Sequence, residues 1–132
     1  MNPDQRRLLE MARRSSETAE RSVAAGDTAT AAIRAHYAMV YAALAALTGE
    51  AVGAAVDPDD HAAVHAAFRA RFAKTRRLDP QLHRWLLDAH ELRLLAEGDP
   101  PGGLDAGAIR ETLDRADSMI LAIRRFLGPG EG

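Results

Sequence analysis

The chain has 132 residues, 47% of them apolar, which is enough for one domain with its own core and too short for two. It contains no cysteine, which excludes disulfides, thiolate metal sites and thiol nucleophiles and fits a reducing compartment. Seventeen basic and nineteen acidic residues leave a formal net charge of −2, which excludes a globally basic nucleic-acid binder but not a local basic patch.

Residues 1–14, MNPDQRRLLEMARR, are charged throughout and do not read as a secretory leader, so a cytoplasmic location is expected. No uncharged apolar run approaches the ~20 residues of a membrane span, and no membrane partner is expected. The first predicted helix covers about 3–25, with Asn2 as N-cap, Pro3 at the first helical position and Gly26 as its stop. A second starts at the Asp27 cap and ends before Gly49. The small-residue linker GEAVGAAVDP then leads to a third helix over about 59–75. "RRLDP" introduces a fourth over about 80–97, and GDPPGG is the clearest breaker in the chain. The fifth, about 105–127, carries Ile109, Leu113, Ala116, Ile120, Ile123 and Leu127 in alternating steps of four and three, a bundle seam. With no strand pattern, these elements predict an all-α, up-and-down bundle of about five helices, one domain over 1–132 with its core at about 3–127.

Two arginines interrupt the apolar stripes. On the second helix Ile33, Tyr37, Val40, Tyr41, Leu44 and Leu47 form the inward stripe, with Arg34 directly beneath Tyr37 and Tyr41. On the fourth, Leu82, Trp85, Leu86, Ala89, Arg93 and Ala96 share one stripe, so Arg93 stands where an apolar residue belongs. A desolvated arginine keeps its charge and needs a carboxylate, carbonyls or an anionic ligand. One reading pairs Arg93 with Asp88, Glu91 or Asp99. The other joins Arg34 and Arg93 into an anion site.

RAHYAMVYAALAAL, His61 of DDHAAV, FRARFAKTRRLDPQL and AHELRLLAEGD follow one another in an order that resembles the HEPN superfamily, in particular its small stand-alone prokaryotic branch. The resemblance spans about 27–127. It implies a helical bundle, homodimerisation and pairing with a minimal nucleotidyltransferase in a toxin–antitoxin or defence setting. It places Arg34, Tyr37 and Tyr41 in the family's core and groove motif, with His36 in place of the first tyrosine of the family's pair. Arg93 falls on the arginine of the family's functional motif. Ribonuclease members follow that arginine with a histidine, and this branch commonly with Ala-Asp-Tyr; here the stretch reads Ala96-Glu97-Gly98.

The expected function is therefore binding of a nucleotide or RNA by a partner protein whose catalytic motif is degenerate. Arg34, Tyr37, Tyr41, Arg93, Asp99, Arg76 and Arg77 are the candidate binding residues. One alternative is a metal-independent endoribonuclease toxin using Arg93 with a relocated histidine, from His36, or from His83 or His90 across a dimer interface. Another is a purely structural oligomerisation bundle. The basic run Arg69, Arg71, Lys74, Arg76 and Arg77 reads either as a solvated helix end or as a phosphate-holding face. His61 and His65 stand one turn apart, a chelating interval, but the sequence signals no third ligand, so no metal and no cofactor are expected.

Overall fold

Residue size sets the centre of the fold. The segment Thr28–Thr48 (α2) buries thirteen of its 21 residues, eight of them alanine, and a helix this narrow accepts neighbours on nearly every side. Those neighbours are Pro3–Ala24 (α1), His61–Phe68 (α3), Gln81–Ala96 (α4) and Ala106–Leu127 (α5) in a computed structural model that describes residues 1–50, 56–98 and 100–129. The chain is an all-helical bundle of five helices, with no strand among the described residues.

α2 packs on all four other helices, and around it α1 touches α5, α5 touches α4 and α4 touches α3. No comparable packing joins α3 back to α1 among the described residues, so the ring around α2 is open on one side. α2 is also the one described helix long and apolar enough to cross a membrane. Arg34 interrupts its apolar stretch, which is why no long uncharged run occurs in it. In the bundle 72% of its most apolar window is buried, as suits a central core helix.

The helix ends follow local chemistry. Asn2 accepts from the Gln5 backbone N–H at 2.8 Å while the Gln5 side chain accepts from the Asn2 N–H at 2.9 Å, a reciprocal cap with Pro3 at the first helical position. Asp27, Asp60 and Asp105 cap α2, α3 and α5 through their side chains. Gly26 stops α1 with φ +78°, a left-handed value that glycine adopts without a Cβ penalty.

The third helix departs from expectation. It starts at His61, and its α-register ends at Phe68, where a π-helical turn, Arg69–Ala73, takes over with Lys74 N–H donating to Arg69 C=O at 2.8 Å. Phe72 and Ala73 follow Phe68 into the core through this wider turn, the two phenylalanine rings 5.4 Å apart. On α5 the expected seam is buried from Ile109 to Ile123, while Leu127 is half-buried.

The apolar interior divides in two. One cluster gathers Ala19, Ala31, Ala32, Ala35, Leu92, Ala96, Ile109 and Leu113, and the other begins at Ala12, Ala38, Ala89 and Ala116. Between them runs a polar layer. Ser15 Oγ donates to the Arg34 C=O at 2.7 Å, Ser16 Oγ donates to Asp117, and His36 and His90 face each other across α2 and α4.

If alanine sets the approach of the four helices, enlarging it is costly. Ala42→Leu, at a fully buried position, should lower stability by about 1–3 kcal/mol, whereas Ala66→Leu, on the exposed side of α3, should stay within about 0.5 kcal/mol of the parent. Denaturant midpoints at unchanged slope measure this; equal midpoints for the two variants would contradict it.

Candidate functional site

The polar layer carries four of the five histidines. α2 contributes His36, fully buried; the first turns of α3 contribute His61 and His65, one turn apart; α4 contributes His90. His36 Nε2 lies 3.1 Å from His65 Nε2, and the His36 ring centroid is 5.1–5.4 Å from those of His61, His65 and His90. One ring nitrogen from each of His36, His65 and His90 falls within 4.8 Å of the others. The Nδ1 of His90 is buried with no hydrogen-bond partner among the described residues, a cost that most buried polar atoms avoid.

Arg93, one turn beyond Ala89 on α4, reaches into this layer with its side chain 15% exposed. Its Nη1 stands 2.8 Å from His61 Nδ1 and 3.3 Å from His36 Nδ1. A guanidinium only donates, so both Nδ1 atoms accept and both rings carry their proton on Nε2. His36 Nε2–H then donates to His65 Nε2, and a directed chain runs from Arg93 through His36 to His65. The far edge of the guanidinium is held by Glu97, with Nε 3.1 Å from Oε1 and Nη2 3.4 Å from Oε2. His61 is left with an Nε2–H to offer, and neither His36 nor His61 presents a free lone pair for proton abstraction.

Two guanidinium groups lie against the Tyr37 ring. The Arg93 guanidinium carbon is 4.7 Å from its centroid and that of Arg34 is 5.6 Å away, while the His61 ring meets it edge-on at 5.4 Å. Tyr41 stacks next to it, centroids 6.0 Å apart. Both tyrosines line a groove of about 390 Å³ in the open side of the ring, floored by Val40 and Leu44 of α2, walled by Leu8 and Met11 of α1, and rimmed by Asp4, Arg7, Asp59 and His61.

Of the residues expected at the site, the structure brings Arg34, Tyr37, Tyr41 and Arg93 together. Arg34 is exposed and, among the described residues, joins the others through the Tyr37 ring. Asp99 lies outside the described residues. Arg76 and Arg77 sit at the opposite end of α3 and its π-turn from His61. Arg77 pairs with Glu50 at 2.6 Å and stacks on Phe72 at 4.9 Å, and Arg76 ends the helix with φ +59°. Among the acids weighed as partners of Arg93, Asp88 pairs instead with Arg115 at 3.3 Å; the carboxylate on Arg93 is Glu97, one helical turn on at i+4. The interval between His61 and His65 predicts a pair without a third ligand. The missing members are His36 and His90, and His61 turns toward Arg93. Arg93 on an apolar stripe was the available signal that polar groups meet inside.

Burial sets the charge state of the layer. Desolvation first, then the neighbouring His65, His90, Arg93 and His61, push the His36 imidazole down to about 2; desolvation, His90, His61 and His83 push His65 down to about 4. His61 is lowered as well, by desolvation and then Arg93.

Histidines depressed in the folded state bind protons only in the unfolded chain, so their stabilisation is complete above about pH 6.5 and is lost on acidification below it. The slope is about 1.4 kcal/mol per pH unit for each histidine that stays neutral. Thermal midpoints should therefore fall from pH 7 to pH 5, above the range where surface carboxylates titrate, and the fall should be shallower in His36→Phe. A midpoint flat or rising toward pH 5 would contradict this charge state.

No protein-family model, no curated protein and no solved structure matches this chain.

Proposed function

We propose that this chain is a HEPN-like bundle protein that binds a nucleotide or single-stranded RNA by stacking a base in the groove between α1 and α3, without cleaving it. The observation that carries the reading is the stacked Tyr37–Tyr41 pair lining a groove of about 390 Å³, within the size range of small-molecule sites. Aromatic platforms hold unpaired bases through their π-faces irrespective of sequence. Arg7 and the His61 Nε2–H supply donors at the rim for one phosphate. Asp4 and Asp59 supply acceptors suited to ribose hydroxyls or an exocyclic amine and disfavour a phosphate-dense duplex.

The absence of cleavage rests on Arg93. Its donors face Glu97, His36 and His61, and the family's downstream proton-transfer position falls near Gly98, which carries no side chain. The exposed leucines of α4, Leu87, Leu94 and Leu95, form an apolar outer face suited to a homodimer. In line with the sequence resemblance, the protein acts in a prokaryotic toxin–antitoxin or defence system beside a minimal nucleotidyltransferase. The endoribonuclease alternative keeps one specific support: His61, from the same chain, is 2.8 Å from Arg93.

A labelled single-stranded RNA of mixed sequence, incubated in chelator, separates these readings. Saturable binding with intact RNA is expected, weakened roughly 5- to 150-fold in Tyr41→Leu. Parent-like affinity in both Tyr37→Leu and Tyr41→Leu would contradict the groove as the site. Robust cleavage abolished by both Arg93→Ala and His61→Ala would establish the ribonuclease instead.

A further inference from the structure

We propose that His36, His65 and His90 form a zinc site that fastens α3 and α4 to α2. One residue comes from each of three helices, and their nitrogens converge within 4.8 Å inside the bundle. His36 Nε2 and His65 Nε2 are 3.1 Å apart, close to the roughly 3.4 Å that separates two imidazole nitrogens on a tetrahedral ion with Zn–N bonds of about 2.0–2.1 Å. The independent sign of a ligand is His90. Its Nδ1 is buried and, among the described residues, unpartnered, on a ring 5.1 Å from His36 and 5.2 Å from His65. An ion held by His90 through Nδ1 would end that deficit.

Three neutral imidazoles without a carboxylate favour a borderline ion such as Zn²⁺ over Mg²⁺ or Ca²⁺, which require oxygen ligands. Three protein ligands leave the fourth tetrahedral position to water. The proton inventory closes without an outside acid or base. His36 carries its proton on Nε2 in the metal-free chain; on binding, Nε2 takes the ion and the proton moves to Nδ1 of the same ring. That new N–H faces Arg93 Nη1, so the 3.3 Å contact is lost, while Arg93 keeps its shorter bond to His61 and its pair with Glu97. Zinc binding therefore leaves His61 as the histidine partner of Arg93, beside the tyrosine groove. His61 itself stays outside the ligand set.

The test uses the full chain without an affinity tag, stripped with chelator and titrated with zinc chloride by calorimetry. One ion per chain with a Kd below about 1 µM is expected, together with a raised thermal midpoint and, with Co²⁺ as probe, the intense visible absorption of a four-coordinate ion. His90→Phe and His65→Gln should each weaken binding at least about 100-fold and abolish the thermal shift, while His83→Ala should change neither. His65→Gln keeps a polar group toward His36, which guards against simple loss of the fold. Absence of one-to-one binding, or binding that survives both His90→Phe and His65→Gln, would overturn the site.

Discussion

The hydrogen bonds from Arg93 to the Nδ1 atoms of His36 and His61 constrain the rest of the molecule. An arginine cannot give up its charge, so an arginine on the inward stripe of a helix obliges its surroundings to provide acceptors. Neutral imidazoles do so here, and their neutrality is maintained by burial and by Arg93 itself. One cation thereby fixes the tautomers of two histidines and, through His36, the direction of the bond to His65. Glu97 closes the outer edge and leaves Arg93 without a bare positive face.

The alanines of α2 make this layer attainable. A helix carrying larger side chains would hold α3 and α4 too far apart for His36 to touch His65 and for Arg93 to reach His36 from the other side. Among the described residues the four neighbours of this narrow helix do not close around it, and the open side becomes the groove in which Tyr37 and Tyr41 are half-buried. Packing and site are consequences of the same residue choice. The layer is also where the core is least apolar, dividing it into two clusters at the level of Ala35–Ala38 on α2 and Ala89–Leu92 on α4.

Much of the helical framework could be read directly from residues whose chemistry is local. Asn2 and Asp27 cap as their side chains require, and the α5 seam is buried from Ile109 to Ile123 as its spacing requires. Arg93 was legible as an anomaly because the stripe around it is clear. His36 was not, since α2 is buried almost all round and its periodicity does not single out one inward face. The stripe chosen by residue size gave Tyr37 and Tyr41 the core, while His36 is the more deeply buried. The π-turn at Arg69–Ala73 and the convergence of His36, His65 and His90 depend on tertiary packing, which no interval in the sequence encodes.

The central claim is that a half-buried, charged Arg93 donates to a neutral His36. Ring nitrogen shifts of the chelator-treated, ¹⁵N-labelled chain test it most directly. The account predicts that His36 is neutral with its proton on Nε2 and stays so from pH 7 to pH 5. A doubly protonated His36 anywhere in that range, or a neutral ring with its proton on Nδ1, would contradict it.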